Sequence, residues 1–138
     1  MNDLKLKKKS WLRRRFIVSP PLKSLNDWFD TYQGMKEQIL TSSAFQLVGH
    51  MGVLEIESNS KTGRVLVEVV GVPRIGFLSK DIEAQEVLVF EHPRSAFEVD
   101  FLTLNQEARA IISEIRGSIS DTYHIVFDGR NLALHFFI

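Results

Sequence analysis

At 138 residues, 44% of them hydrophobic and 25% charged, the chain has the size and composition of one globular domain rather than of a disordered polymer. It holds no cysteine, which removes disulfides, thiolate metal sites and cysteine nucleophiles, and it has no apolar run of about eighteen residues that would span a bilayer. The formal net charge of zero hides a division: the first 15 residues carry seven cations against one acid, a net of +6, while the other 123 carry ten Lys/Arg against sixteen Asp/Glu, a net of −6.

The chain opens with that basic stretch, in which Lys5, Lys7, Lys8, Lys9, Arg13, Arg14 and Arg15 are interleaved with Trp11 and Phe16. Neither a helical nor a strand period separates its apolar from its charged residues, so residues 1–21 read as a flexible basic arm that ends at Pro20-Pro21, where no helix can continue. Residues 22–138 then form a single domain. Arg13-Arg14-Arg15-Phe16-Ile17 superficially matches a twin-arginine export signal, but no apolar segment and no small-residue cleavage site follow. The expected location is cytoplasmic, at a membrane periphery if the arm adsorbs to anionic lipid.

Ser24 and Asp27 open a helix whose stripe is Leu25, Trp28, Phe29, Tyr32, Met35 and Ile39 at three- and four-residue spacing, with Gly34 as its weak point. Met51 to Ile56 and Arg64 to Val70 read as two strands of a hairpin around the turn-rich Ser58–Gly63. A short helical turn is expected from Ser79 to Glu86, then strands at Val87–Phe90 and Phe97–Phe101. Thr103 and Gln106 have the spacing of a capping box for a second helix with the stripe Ala108, Ile111, Ile112 and Ile115, stopped at Gly117. No internal repeat is visible. Strands in hairpin-length succession with two isolated helices predict an α+β fold: an antiparallel sheet of about five to seven strands with two main helices packed on one face.

The last hairpin, Tyr123–Phe127 and Leu132–Ile138 around Asp128-Gly129-Arg130-Asn131, carries two histidines. With Gly129-Arg130 as the loop, His124 faces His135 with Cβ atoms about 5 Å apart. With Asp128-Gly129 as the loop the two are only diagonal. In both registers the histidines lie on the face opposite Tyr123, Ile125, Phe127, Leu132, Leu134 and Phe136. Two adjacent imidazoles are weak candidates for a metal site, needing a third ligand such as His50 or an acid. The plainer reading is a pair of surface-facing histidines.

Other motifs carry less chemistry. Gly49-His50-Met51-Gly52 has the GxxG spacing of a KH-domain backbone clamp, but it lacks basic residues and leads into a strand, where a bulge is the simpler expectation. Glu55 and Glu57 alternate with Leu54 and Ile56 as on the solvent side of a strand. Neither they nor Ser79, Glu83 and Glu86 fall into a nucleophile elbow, a phosphate loop or a paired-acid arrangement.

Within residues 91–136, Phe97-Glu98-Val99, Asn105-Gln106-Glu107-Ala108-Arg109 and the hairpin Val126–Leu134 resemble the conserved tail of a bacterial family of unknown function associated with membranes. The resemblance covers about a third of the chain. It implies a bacterial, membrane-proximal setting but no reaction and no ligand. This chain departs from such proteins in lacking their transmembrane helices.

The sequence therefore leads to a non-enzymatic binding or assembly module that needs no cofactor. Its basic arm, Lys5, Lys7, Lys8, Lys9, Trp11, Arg13, Arg14 and Arg15, meets an anionic partner at a membrane surface or in a protein assembly. A nucleic-acid- or ribosome-associated protein is the alternative. A metal-dependent enzyme using His124 and His135 is the third reading.

Overall fold

A computed structural model describes residues 6–41, 45–57, 62–71, 78–92, 98, 100–115, 122–128 and 131–137. Eight strands and two helices follow in the order β1 (Lys7–Trp11), β2 (Arg14–Val18), a 3-10 turn (Leu25–Asp27), α1 (Trp28–Leu40), β3 (Phe45–Glu57), β4 (Thr62–Gly71), β5 (Ser79–Ile82), β6 (Gln85–His92), α2 (Phe101–Ile115), β7 (Thr122–Asp128) and β8 (Asn131–Phe137). All strands join one antiparallel sheet, ordered β1-β6-β8-β7-β3-β4-β2-β5. The α+β class and the antiparallel sheet agree with the sequence reading; the described residues alone form eight strands, more than the expected five to seven.

The three additional strand assignments have physical reasons. Residues 7–11 and 14–18, expected in a separate arm, are strands: β1 pairs with β6, and β2 lies between β4 and β5. Lys7, Lys8 and Lys9 hide β1 from a hydropathy reading because it is an edge strand, where lysines are the usual guard against unwanted pairing. The boundary at residue 21 is corrected accordingly, since Trp11, Phe16, Ile17 and Val18 are core residues. Ser79–Ile82, expected as a helical turn, is β5, held against β2 by its ladder.

Sheet order and link length together impose curvature. β1 and β2 are first and seventh in the sheet, yet only Leu12 and Arg13 separate them. Flat, those strands would stand six spacings apart, about 29 Å at ~4.8 Å each, whereas three residue steps reach at most about 11 Å. β5 and β6 are joined as tightly through Glu83 and Ala84. Trp11 faces Gln85 and Arg14 faces Ile82, so one register runs through both ladders and stitches the two sides of the sheet together. The sheet curls, bringing the Trp11 and Phe16 rings to 6.3 Å.

The topology also holds a duplication that the residues conceal. β2-α1-β3-β4 and β6-α2-β7-β8 are the same β-α-β-β unit, and their strands mirror one another about the central β3–β7 pair. Each unit is preceded by a short strand, β1 or β5, that pairs with the other unit.

Both helices pack on the convex face. α1 buries Trp28, Tyr32, Met35 and Ile39, and α2 buries Phe101, Leu104, Ala108 and Ile111, all in one cluster with Leu54, Ile56, Val67, Ile125 and Phe136. Trp28 stacks flat on Phe127 at 4.1 Å between ring centres, an arrangement contributing about 1 kcal/mol beyond its buried area. Ser24 caps the 3-10 turn, accepting from the Asn26 N–H, and the turn leads into α1. α2 begins earlier than its expected capping box: Asp100 accepts from the Leu102 N–H and from the Thr103 hydroxyl. Phe101, expected to end a strand, is therefore the first residue of α2, while residues 97 and 99 lie outside the described residues. Gly52 follows a register shift in the β3–β4 ladder, so the GxxG stretch is an irregular strand segment. A Cβ at Gly52 would stand 3.0 Å from the Tyr32 ring and press on it, so the glycine lets that ring pack closely on the strand.

Candidate functional site

The concave face has its own core: Trp11, Phe16, Val18, Val53, Leu66, Ile82, Val87, Val89 and Val126. Period-two alternation places every second residue of each strand there, so Lys9 accompanies Trp11, Arg14 accompanies Phe16, and Glu55 accompanies Val53. Polar groups on such a face must be explained, because apolar residues would pack it at lower cost.

The terminal hairpin adopts the direct register: His124 faces His135, Ile125 faces Leu134 and Asp128 faces Asn131. The loop residues 129 and 130 lie outside the described residues. The plainer expectation of surface-facing histidines is corrected, since His124 is 1% exposed and His135 is partly buried. Curvature is the reason, because the face that would meet solvent in a flat hairpin here lines the inside of the curl. The next strand extends the row: Glu55 of β3 faces His124 across the β3–β7 ladder.

Trp11 organises this row. Its indole N–H donates to His135 Nδ1 at 3.0 Å. Its ring lies 5.5 Å from both imidazoles and 5.2 Å from Phe137. Because Nδ1 accepts, the neutral His135 ring carries its proton on Nε2. Burial, reinforced by His124, Lys9 and Arg14, lowers His135 to a pKa of about 3, so the ring is neutral near pH 7.

His124 Nε2 lies 2.9 Å from Glu55 Oε2, and Lys80 Nζ reaches the same oxygen at 2.8 Å. Burial opposes ionisation of Glu55, but hydrogen bonds from His124 and Lys80 outweigh it and bring its pKa down to about 2. Burial pushes His124 below its ordinary value although Glu55 pulls the other way. A neutral His124 that donates from Nε2 leaves Nδ1 buried without a partner among the described residues. Such an atom costs about 1–3 kcal/mol, an expense that stability alone would not select.

Two cavities flank the row. One, of about 410 Å³, is lined by Glu55, Lys80, Asp81, Ile82, Gln85, Thr122, His124 and Phe137. The other, of about 510 Å³, is lined by Lys9, Ser10, Trp11, Arg14, Asn131, Ala133, His135 and neighbouring residues. Trp11, in contact with both imidazoles, stands between them.

The basic residues take different places. Lys7 pairs with Glu91, Lys8 with Glu86, and Arg13 with Asp81 and Glu83. Arg15 grips Asp81 through two nitrogens, and its hydrogen bonds hold that carboxyl below its usual range. Lys9 and Arg14 make no ion pair among the described residues; Arg14 instead lies over the Trp11 ring at 4.4 Å. Lys5 and the His50 side chain are outside the described residues. Among the described residues no group of three His, Asp or Glu has the geometry to hold a metal ion.

Sequence reasoning brought His124 and His135 together but missed Glu55, reading its alternation as an outer surface. The signal that finds it is the β3–β7 register, which pairs strands 69 residues apart.

Among the described residues no helix is long and apolar enough to cross a membrane. No protein-family model matches the chain, and no curated protein matches it in sequence. Solved structures do share its fold. One is a Staphylococcus aureus MU50 protein named for a suggested role in bacterial transcription regulation, 12% identical, with 97% of each chain covered and a TM-score of 0.55. Another is SAV2435 bound to tetraphenylphosphonium, 12% identical, covering 96% of this chain and 92% of the other, with a TM-score of 0.58. At this identity the likeness establishes the curled α+β fold.

Proposed function

We propose that the protein is a non-enzymatic binding module that takes a bulky aromatic cation against Glu55 and Phe137 on the concave face. The observation that carries this reading is Glu55 itself, an ionised carboxylate whose side chain is 15% exposed, set beside aromatic rings at a cavity mouth. An anion in such surroundings attracts a cation more strongly than it would in water, and flanking rings favour an aromatic, weakly hydrated one. Lys80, 45% exposed, fills the position now and is the group an incoming cation displaces. The fold likeness to a protein bound to tetraphenylphosphonium supports the choice of ligand class. Transcription regulation, the role suggested for the Staphylococcus protein, is served by a ligand sensor, and we assign binding here to sensing rather than to catalysis.

Calorimetric titration with tetraphenylphosphonium chloride tests the proposal. The intact protein binds it, and Glu55→Gln, which keeps the side chain's shape and removes its charge, binds at least tenfold more weakly. Absence of binding, or equal binding by the variant, overturns the reading. The sequence-based reading, a basic arm gripping an anionic partner at a membrane, in a protein assembly or, as its alternative, on nucleic acid, has less support because Lys7, Lys8, Arg13 and Arg15 are engaged with acids of the same sheet.

A further inference from the structure

The larger cavity carries a different chemistry. We infer that it is a second site, for a planar aromatic carboxylate, held by Arg14 and Lys9 beside Trp11 and His135.

Four observations lead there. First, Lys9 and Arg14 line this cavity and make no close ion pair among the described residues, the Arg14 charge reaching only the Glu68 carboxyl at longer range, whereas their neighbours Lys8, Arg13 and Arg15 are all paired. Second, the Arg14 guanidinium lies over the indole with its centre 4.4 Å from the ring, so its outer face is a platform for another flat ring. Its N–H edge makes no hydrogen bond among the described residues, and a guanidinium edge matches a carboxylate with two parallel bonds. Third, Trp11 occupies His135 Nδ1, which puts the ring's proton on Nε2; that nitrogen makes no hydrogen bond among the described residues and belongs to a residue lining the cavity, where it can donate. Fourth, about 510 Å³ suffices for a molecule of two or three fused rings.

The acids present limit the ligand's charge. Glu91 lines the cavity but is engaged by Lys7, and Asp128 is the remaining carboxylate. Two cations, against Asp128 in the cavity and the more distant Glu68 beside Arg14, suit a monoanion rather than a phosphate carrying two charges. Trp11, 3% exposed, offers only an edge, so stacking falls on Arg14.

This inference stands apart from the cation reading, and one pair of titrations separates them. The probe is 2-naphthoate, added by calorimetry to the intact protein, to Lys9→Met and to Arg14→Gln, with tetraphenylphosphonium run in parallel. Binding of naphthoate that weakens at least fivefold in each variant and falls with added salt supports the site. Unchanged tetraphenylphosphonium affinity in Lys9→Met, an exposed substitution that the fold tolerates, shows that the loss belongs to this cavity. No naphthoate binding by the intact protein overturns the inference whatever the cation does. Binding that ignores both substitutions, or that 2-naphthalenemethanol matches in affinity, also overturns it. Failure of the cation alone overturns only the Glu55 reading.

Discussion

At the residue scale, the concave face works by leaving opposite charges only partly answered. Lys80 and Glu55 form a pair whose cation is half in solvent while its anion is largely buried. The Lys80 ammonium group is half in solvent, where water can take over its hydrogen bonds, so Lys80 can be exchanged for a better-fitting cation. Lys80→Met is therefore expected to tighten tetraphenylphosphonium binding by about tenfold, or ~1.4 kcal/mol, readable by calorimetry; weaker binding would mean that Lys80 assists the ligand. The histidines add a pH dependence of stability. His135 falls from 6.5 to about 3 on folding because burial disfavours its cation. Below pH 6.5 the unfolded chain takes up a proton that the folded chain refuses, so stability drops as pH falls toward 3, by up to about 1.4 kcal/mol per pH unit. His124 acts in the same direction. Urea denaturation should show a lower midpoint at pH 5 than at pH 7, and His135→Gln should shrink the difference. An unchanged difference would place the titration elsewhere. Glu55 adds its own loss only lower, between 4.5 and about 2.

At the element scale, legibility followed burial pattern. α1 was readable because Trp28, Tyr32, Met35 and Ile39 repeat on one face of an otherwise polar helix. The His124–His135 pairing was readable because a glycine two residues before Asn131 restricts the hairpin to two registers. β1 and β5 were not readable. Their sequences, Lys-Lys-Lys-Ser-Trp and Ser-Lys-Asp-Ile, each bury one residue, and the ladders that hold them come from strands about 70 residues away. Glu55 was hidden for a related reason: alternation gives two faces to a strand but does not say which one a curled sheet encloses. Gly34 offers a test of local reading. It sits exposed in α1 with nothing within 4 Å of where a Cβ would stand, so Gly34→Ala should stabilise the fold by about 1 kcal/mol. Thermal unfolding measures this, and a destabilised variant would contradict the exposed placement of that helix face.

At the scale of the whole molecule, two like β-α-β-β units exchange their leading strands, and the exchange encloses the concave face. Residues 6–21 are then not an appendage. They supply two of the eight described strands and, in Trp11 and Phe16, two rings of the inner core. A chain starting at Leu22 should lose cooperative unfolding altogether rather than lose affinity for one partner, because its loss exposes β4, β5 and β6 along unpaired edges. A truncated protein with an unchanged urea transition would refute the stitched sheet. The charge asymmetry that marks the sequence also changes meaning. The basic stretch meets much of its opposite charge within the fold, on Asp81, Glu83, Glu86 and Glu91, and leaves Lys9 and Arg14 at a cavity.

The two tryptophans provide the most direct measurement, because Trp11 lies on the concave face and Trp28 on the helix-covered one. In a nitrogen-15 spectrum of the intact protein titrated with tetraphenylphosphonium, the Trp11 indole N–H, bonded to His135, should shift progressively to saturation while that of Trp28 stays in place. A shift of Trp28 with Trp11 unmoved, or no shift of either at millimolar ligand, would contradict the concave face as the binding site.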